Sequence, residues 1–454
     1  MRSIFAIAGI ALRAAVRSRM VLALLLALAT VVPGIAFTAR GDGTAMGQVQ
    51  VLLTYSLGAC GLILSLATLW SACAAVSLEI ENRQIHLLVA KPVHRWQVWL
   101  GKWLGLMILN ALLLLLSGAV VAGILRHKTR PILIGAEESE RIRENVLNAR
   151  RDVPPRPFDL AAAAVLSLRA AVEQGRIAAE EAEGELANAI RYLNVTTNSA
   201  ARGAAARWVF DLPATIPPGP VVLEFIGETG SIDRDDVPVV WSIGTPANPR
   251  IRSIEQALVP GARRTLDLPL DAVGASRAIS IECFNAAARE VSVFFKPGEG
   301  VRVLLPGGGF AANLARALLL QWIRLGLLAA LGVSAGSMFS MPVAALASIS
   351  LILARQVTAF LDSATEGLGP SMAARDSGMA MRAFDHFSRG VYHLFHSLGG
   401  RVESASALER LSQGVQVPWS EVARNAGMSL GVFGLLLFAA GAILLSRREV
   451  ALPE

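Results

Sequence analysis

The chain has 454 residues, of which 54% are hydrophobic and 17% are charged. This charged fraction is lower than in typical soluble domains, and the chain is longer than one ordinary domain. These values exclude a small soluble protein and favour an integral membrane protein with a sizeable soluble part. Basic residues outnumber acidic residues, 42 to 35. Most of the excess lies beside apolar segments, so we interpret it as a topology signal rather than as a nucleic-acid-binding surface.

Residues 1–19 predict an amphipathic helix at the membrane surface. Arg2, Arg13 and Arg17 fall within one narrow arc of such a helix, and apolar side chains fall within another. A helix of this kind lies in the plane of the interface, where Arg13 and Arg17 would anchor it. The alternative is a signal peptide, which also combines a basic region with an apolar one.

Six apolar runs are long enough to cross a bilayer, which takes about 20 residues each. Basic residues near the crossings place both chain ends in the cytoplasm. Arg126, Lys128 and Arg130 depart from this scheme, because they follow the third crossing on the predicted outer side. The predicted crossings are Met20–Phe37, Val51–Ser77, Trp103–Leu125, Leu314–Gly336, Met338–Leu361 and Ala426–Leu445.

Two pairs of glycines in these crossings have the spacing typical of close helix packing. Gly332 and Gly336 lie in the fourth crossing, and Gly427 and Gly431 lie in the sixth. A residue without a side chain lets two helix backbones approach each other. Both pairs therefore suit close helix packing, although pairs with this spacing are also common by chance.

Residues 126–309 form a predicted extracytoplasmic domain between the third and fourth crossings. Its first part, residues 137–194, is rich in Ala, Glu and Arg and favours helices. Its second part, residues 207–305, consists of short alternating apolar runs separated by turn residues, which is typical of an antiparallel β-sandwich. A packed core explains its aromatic residues, and a glycan-binding face is the alternative. The expected inward-facing residues are Trp208, Phe210, Leu223, Phe225, Trp241, Ile279, Ile281, Val293 and Phe295.

The sequence thus predicts an α-helical polytopic membrane protein with about six transmembrane helices and an inserted α+β domain that ends in a β-sandwich. Residues 20–125 hold the first three crossings, and residues 310–361 hold the fourth and fifth. Residues 362–425 form a predicted extracytoplasmic loop, and residues 426–454 hold the last crossing and a cytoplasmic tail. Three histidines share one face of an amphipathic helix in that loop, but Arg389 lies among them, so we predict an interfacial helix rather than a metal site.

We find no motif typical of an enzyme in the sequence. Because the chain lacks a Walker glycine loop, we do not expect it to bind ATP or Mg itself. It also lacks GxSxG, HExxH and paired-cysteine sites. Its three cysteines give no disulfide framework, and Cys283 is expected to pack as a small apolar residue.

A compact charged segment, residues 78–102, connects the second and third crossings on the cytoplasmic side. Pro92 divides it, because proline cannot continue a helix and biases Lys91 away from helical angles. The part before the proline has helical spacing, and Glu79 and Arg83 form an i,i+4 pair that supports a helix.

Three tryptophans follow the proline on one face of a predicted helix: Trp96, Trp99 and Trp103. We predict that they anchor the segment at the membrane interface, since tryptophan suits the headgroup level. An ordinary interfacial loop would explain the whole segment. The sharper hypothesis is a short, rigid helix presented to a cytoplasmic partner, with Glu79, Glu81 and Arg83 at the contact.

The segment resembles the coupling segment in permease subunits of type-2 ATP-binding-cassette (ABC) exporters. The similar pattern is E-x-E-x-x-x-I-x-L-L-x-x-K-P-x-x-R, which starts at Glu79 and ends at Arg95. The amphipathic first helix, the six crossings and the C-terminal sequence SRREV are also similar to that family. The resemblance covers roughly residues 1–125 and 310–454. The stretch LLPGGGFAANLARALLLQWIRLGLLAALG, which runs into SMFSMPVA, is similar to uncharacterised members that carry an inserted external domain, an insertion that the simplest members lack.

The resemblance implies that two permease copies, or one copy and a paralogue, pair in the bacterial inner membrane and bind two separate ATPase subunits. ATP and Mg would then bind to those partners. The alternatives are a membrane-anchored protein whose external domain binds glycan or cell-wall material, and an ABC-driven mechanical transmitter. The implied ATPase contacts are Glu79, Glu81, Arg83, Lys91, Pro92 and Arg95.

Overall fold

The computed structural model describes residues 2–17, 19–38, 45–82, 94–130, 135–230, 235–269, 277–351, 353 and 404–447. The chain forms two compact units. The helical unit comprises Met1–Leu147 and Gly309–Glu454, and the sheet unit comprises Asn148–Gly308. The sequence placed the inserted domain at 126–309, so the separate unit begins later than predicted.

Helices make up the helical unit, and two more lie in the sheet unit. In chain order, the described α-helices are α1 (Arg2–Arg17), α2 (Arg19–Thr38), α3 (Ala45–Glu81), α4 (Arg95–Lys128), α5 (Ala136–Ile142), α6 (Leu160–Glu173), α7 (Ala179–Thr197), α8 (Phe310–Met338), α9 (Met341–Leu351), α10 (Ser404–Ser412), α11 (Trp419–Asn425) and α12 (Leu435–Arg447). Two segments form wider π-helical turns. Arg143–Leu147 follows α5, and Ala426–Gly434 joins α11 to α12.

Five helices in the described part of the chain are long and apolar enough to cross a membrane. They are α2, α3, α4, α8 and the continuous helix from Trp419 to Ser446. Long helices suit hydrocarbon because each one satisfies its own backbone N–H and C=O groups. The predicted fifth crossing is represented by α9, a shorter apolar helix separated from α8 at Phe339 and Ser340. The remainder of that crossing, and most of the predicted loop 362–425, lie outside the described residues.

The two predicted glycine pairs behave differently. A Cβ atom at Gly332 would lie 2.6 Å from the Cβ of Ala72, and one at Gly336 would lie 2.5 Å from the carbonyl oxygen of Cys73. This pair lets α8 pack closely on α3, as predicted. Gly427 and Gly431 show no such contact in the described part of the chain, where nothing lies within 4 Å of a Cβ position at either glycine.

The two ends of α8 bind different parts of the chain. Near its start, Asn313 donates from Nδ2 to the Val415 carbonyl and accepts from the Val417 N–H, both at 2.8 Å. Beyond its other end, the Met341 N–H donates to the Glu81 carboxylate at 3.1 Å. The chain between Met341 and Val415 therefore starts and finishes at opposite ends of α8.

The sheet unit contains three sheets in its described residues. Two are four-stranded, in the orders β1-β11-β4-β8 and β3-β9-β6-β7, and one is three-stranded, in the order β2-β10-β5. The strands are β1 (Asn148–Val153), β2 (Ser199–Ala200), β3 (Ala205–Asp211), β4 (Val222–Phe225), β5 (Gly227–Thr229), β6 (Val237–Gly244), β7 (Arg252–Leu258), β8 (Arg264–Asp267), β9 (Ala278–Asn285), β10 (Val293–Phe295) and β11 (Val301–Gly309).

All three sheets contribute to one apolar core. Every residue predicted to face inward is buried in it. The rings of Phe225 and Trp241, from the two four-stranded sheets, lie 4.6 Å apart between centroids. Strand alternation explains this agreement, because every second side chain points to the same face. The prediction that residues 137–194 are helical throughout is wrong, because β1 lies within this range. It forms a strand because it pairs with β11 in the sheet.

Each four-stranded sheet also holds a buried glutamate paired directly with an arginine on the neighbouring strand. Glu282 lies opposite Arg207, and Glu224 lies opposite Arg302. Glu282 accepts hydrogen bonds from Arg207 Nε at 2.6 Å and from Arg250 Nε at 2.9 Å. Burial raises the pKa of Glu282, but the hydrogen bonds from Arg250 and Arg207 outweigh it and hold that pKa below its usual range.

We expect Glu282→Gln to destabilise the sheet unit at pH 7 by about 1–3 kcal/mol, because the arginines lose a charged acceptor. Since the folded-state pKa is lowered, the carboxylate stabilises the fold above its unfolded-state pKa of about 4.3. This contribution is lost as the pH falls through the folded-state pKa, so the difference between parent and variant shrinks in acid.

Hydrogen exchange of the β9 amides in the full chain, corrected for the intrinsic rate at each pH, measures this difference. Glu299→Gln is the matched control, because Glu299 is exposed and pairs only with Lys296 at 2.9 Å. We expect the control to change stability by less than about 0.5 kcal/mol. Equal protection of β9 in Glu282→Gln and the parent would contradict the prediction.

Candidate functional site

The candidate site comprises the two flanks of residues 83–93, where α3 ends and α4 begins. Arg83, Lys91 and Pro92 lie within that interval, outside the described residues. The other predicted contact residues are described, two in the last turn of α3 and one at the start of α4. They are Glu79, Glu81 and Arg95.

An ion pair between Glu79 and Lys102 joins the two flanks. Lys102 Nζ lies 2.5 Å from Glu79 Oε2 and also donates to the Ala75 carbonyl. The Lys102 side chain is 4% exposed, whereas that of Glu79 is 32% exposed. A lysine this buried depends on its partners, because an unpaired charge would be costly to keep away from water. The pair therefore ties the end of α3 to the first turns of α4.

Glu81 binds the beginning of another helix. Its carboxylate accepts the hydrogen bond from the backbone N–H of Met341, the first residue of α9. The first N–H groups of a helix have no partner within the helix, and a carboxylate also complements their partial positive charge. Glu81 thus connects the end of α3 to the start of α9.

Arg95 binds the end of a further helix. Its Nη1 donates to the carbonyl oxygen of Leu445 at 2.6 Å and to that of Ser446 at 3.1 Å. These carbonyls belong to the last turn of α12, where a cation complements the partial negative charge of a helix C-terminus. Arg95 thus connects the start of α4 to the end of α12.

All three described contact residues are therefore bonded inside the helical unit. Their direct contact with an ATPase stays a prediction, and the structure gives them a second role that the sequence did not indicate. The sequence also missed Lys102 as the buried partner of Glu79. The spacing of the nearby tryptophans predicted a helix, but not which face of that helix would be buried.

Trp99, predicted as an interface anchor, lies inside the helical unit. It is 2% exposed, and its Nε1 donates to Ser334 Oγ at 3.3 Å. Ser334 Oγ in turn donates to the Leu437 carbonyl at 2.8 Å. A Cβ atom at Gly441 would lie 2.5 Å from Trp99 Nε1, so this glycine makes room for the indole. The prediction is corrected here: Trp99 packs α4 against α8 and α12.

The other two predicted tryptophan anchors are more exposed. Trp103 is half-buried, and its Nε1 donates to the Gly326 carbonyl at 2.9 Å. Trp96 is 41% exposed. Of the three, Trp96 is therefore the one placed to meet the surroundings of the bundle.

The first helix packs on the start of α4 through two glycines. A Cβ atom at Gly101 would lie 2.7 Å from the Cβ of Ile7, and one at Gly105 would lie 3.0 Å from the carbonyl oxygen of Ala8. Ile7 and Ala8 are accordingly buried. Gly101 and Gly105 have the same small-xxx-small spacing as Gly332 and Gly336, so a sequence signal for this contact was present.

The outward side of α1 carries both apolar and basic residues. Phe5 is 65% exposed and Val16 is 58% exposed. Arg13 and Arg17, the predicted anchors, are also exposed. Exposed apolar and basic side chains on one helix are typical of a helix in a membrane interface.

Metal-binding and reactive groups do not form a second site in the described parts of the chain. No group of three His, Cys, Asp or Glu side chains there could hold a metal ion. Cys283 is buried in β9, as predicted, and burial raises the pKa of its thiol, so it stays protonated.

No family model, curated protein or solved structure matches the chain.

We expect Glu79→Gln to destabilise the helical unit more than Lys102→Met does. Glu79→Gln leaves a buried ammonium group without its counter-charge, which costs about 3–5 kcal/mol. Lys102→Met leaves a carboxylate that water can reach. Thermal unfolding of both single variants and the double variant in detergent measures the difference and the coupling between the two residues. Equal losses in the single variants would show that the pair is not desolvated.

We expect Gly101→Ala to loosen α1, because the new methyl group would collide with Ile7. Gly123→Ala is the matched control, since Gly123 is in the same helix and has no other residue within 4 Å of a Cβ position. The control should be neutral or stabilising by up to about 1 kcal/mol, from helix propensity alone. Thermal unfolding and the rate of trypsin cleavage after Arg13 and Arg17 measure both effects. Faster cleavage in both variants would argue against the specific contact.

Proposed function

We propose that the chain is the transmembrane permease subunit of a type-2 ABC exporter in the bacterial inner membrane. It pairs with a second copy or a paralogue, and separate ATPase subunits bind and hydrolyse ATP. Residues 83–93 transmit the movement of those subunits to the membrane helices. The observation that carries the proposal is the set of side-chain bonds at the two flanks of this interval.

A force on a loop moves helices only if the flanks of the loop are fixed to them. The bond between Glu79 and Lys102 makes the ends of α3 and α4 one mechanical unit. Glu81 extends that unit to α9, and Arg95 extends it to α12. A partner that prefers one position of the loop would therefore bias the arrangement of four helices, which is the requirement for two-state coupling.

The positions of the chain ends support the predicted topology. The first helix packs on the start of α4, and the last helix ends at Arg95, so both adjoin the same flanks. Two chain ends on one side of a membrane require an even number of crossings. Five described helices are long enough, and the chain from Met341 to Val415 runs between opposite ends of α8. This supports six crossings, with the basic residues of α1 favouring cytoplasmic ends.

The rival proposal, a membrane-anchored glycan-binding protein, gains no support from Trp208 and Trp241 of the sheet unit. Trp208 and Trp241 are buried in its core and form no exposed platform. A mechanical transmitter driven by the same ATPase would share the coupling segment. Only a transport measurement with purified components would separate it from an exporter.

We expect an ATPase subunit to co-purify with the tagged full-length chain from its native cell in mild detergent. The double variant Arg83→Glu, Lys91→Glu should insert normally but lose this partner, because both charges lie in the proposed contact segment. Arg289→Glu is the control, since Arg289 is 76% exposed on the sheet unit and should leave the partner bound.

Retention of the ATPase by the double variant would place the contact elsewhere on the chain. Absence of any ATPase from the parent preparation would refute the exporter proposal. Binding of purified cell-wall material by the parent chain would then favour the glycan-binding alternative.

A further inference from the structure

A cleft between α2, α3 and α4 has features that the proposed function does not use. The cleft is open on one side, its enclosed part is only about 10 Å³, roughly the space for one water-sized atom, and its lining is mostly apolar. Met20 and Val21, in the first turn of α2, form one wall. The polar residues in the lining are Thr68, Ser71 and Asn110.

Asn110 presents an unsatisfied donor in this cleft. Its side chain is 3% exposed, and its Oδ1 accepts a hydrogen bond from Thr68 Oγ1 at 3.0 Å. Its Nδ2 has no hydrogen-bond partner among the residues that the structure describes. Leaving an amide N–H unpaired in apolar surroundings is costly, so an acceptor atom is expected there.

The cleft opens near one boundary of the hydrocarbon. Helix α2 has 20 residues, which gives a length of about 30 Å, the thickness of the hydrocarbon core. Its first turn therefore lies where hydrocarbon meets headgroups. The preceding helix carries exposed Arg13 and Arg17, which suit the same depth.

We propose that this cleft binds a glycerolipid from the leaflet in which α2 begins. An acyl-ester carbonyl oxygen occupies the enclosed part and accepts the hydrogen bond from Asn110 Nδ2, and the acyl chain lies along the open side of the cleft. Ester carbonyls lie directly below the headgroups of diacyl lipids, which is the depth of the first turn of α2. The exposed arginines Arg17 and Arg19 favour an anionic headgroup.

Met20 lines the cleft, and its side chain moves aside when the lipid binds. Its sulfur lies 3.6 Å from Ser71 Oγ, a weak contact, and methionine changes rotamer easily. This lipid site is independent of the ATPase partner and requires only that α2 crosses a membrane. Its failure and the failure of the exporter proposal are therefore distinguishable.

The test is a native mass-spectrometry titration of the delipidated full-length chain with two lipids of equal headgroup and chain length. One is a diacyl phosphatidylglycerol, and the other is its dialkyl ether analogue, which lacks the ester carbonyls. We expect the parent to bind the ester lipid about two- to tenfold more tightly, as one net hydrogen bond predicts. Asn110→Leu should bind both lipids equally, and Ala67→Leu, which fills the cleft, should weaken both.

Ser117→Ala is the control, because the Ser117 hydroxyl donates to the Leu113 carbonyl of its own helix and lies outside the cleft. It should keep the preference for the ester lipid. Equal binding of ester and ether lipids by the parent would overturn the proposal, as would an unchanged preference in Asn110→Leu. If Asn110→Leu fails to fold, the parent comparison and Ala67→Leu still decide. A co-purified adduct that is no membrane lipid and is displaced by the diacyl lipid would assign the cleft to a transported amphiphile instead.

Discussion

Backbone groups at the ends of apolar helices need partners, and in the helical unit distant side chains supply them. Arg95 binds the last carbonyls of α12, Glu81 binds the first N–H of α9, and Asn313 binds the chain just before α11. The same physics explains a basic residue that departs from the predicted topology. Lys128 donates to the Ala36 carbonyl at 2.5 Å and lies over the ring of Phe37, so it completes the end of α2. Its charge has a structural role that does not depend on the side of the membrane.

Much of the secondary structure follows from local sequence patterns. The alternating runs Val237–Gly244 and Ala278–Asn285 are β6 and β9, with the bounds that the sequence predicts. Each long helix likewise contains one predicted apolar run, and α3 and α4 extend well beyond theirs into polar residues. The missed strand β1 has the sequence NARRDV, which lacks alternation. It is a strand because β11 pairs with it, and no local pattern encodes a pairing with a distant part of the chain.

The sequence predicted which residues form the candidate site, but it did not predict which other residues they bond to. A charged residue at a helix end has the same sequence appearance whether it faces another protein or completes a helix in its own chain. Glu81 bonds to a residue 260 positions away, and Arg95 to one 350 positions away. Trp99 shows the same difficulty, since tryptophans near a crossing suit both an interface and a core. The glycines beside these contacts indicate close packing in the sequence: Gly441 makes room for Trp99, and Gly101 and Gly105 make room for α1.

The difference in burial between the contacts at the flanks determines which of them yields first during a conformational change. The bond from Met341 to Glu81 is exposed, and a hydrogen bond of this kind contributes about 0.5–1.5 kcal/mol. Breaking the pair of the buried Lys102 would cost about 3–5 kcal/mol. A force on residues 83–93 that supplies only a few kcal/mol would therefore release α9 before it separates α3 from α4. In the proposed coupling, α3 and α4 would then move as one rigid pair, and α9 would change its position relative to them.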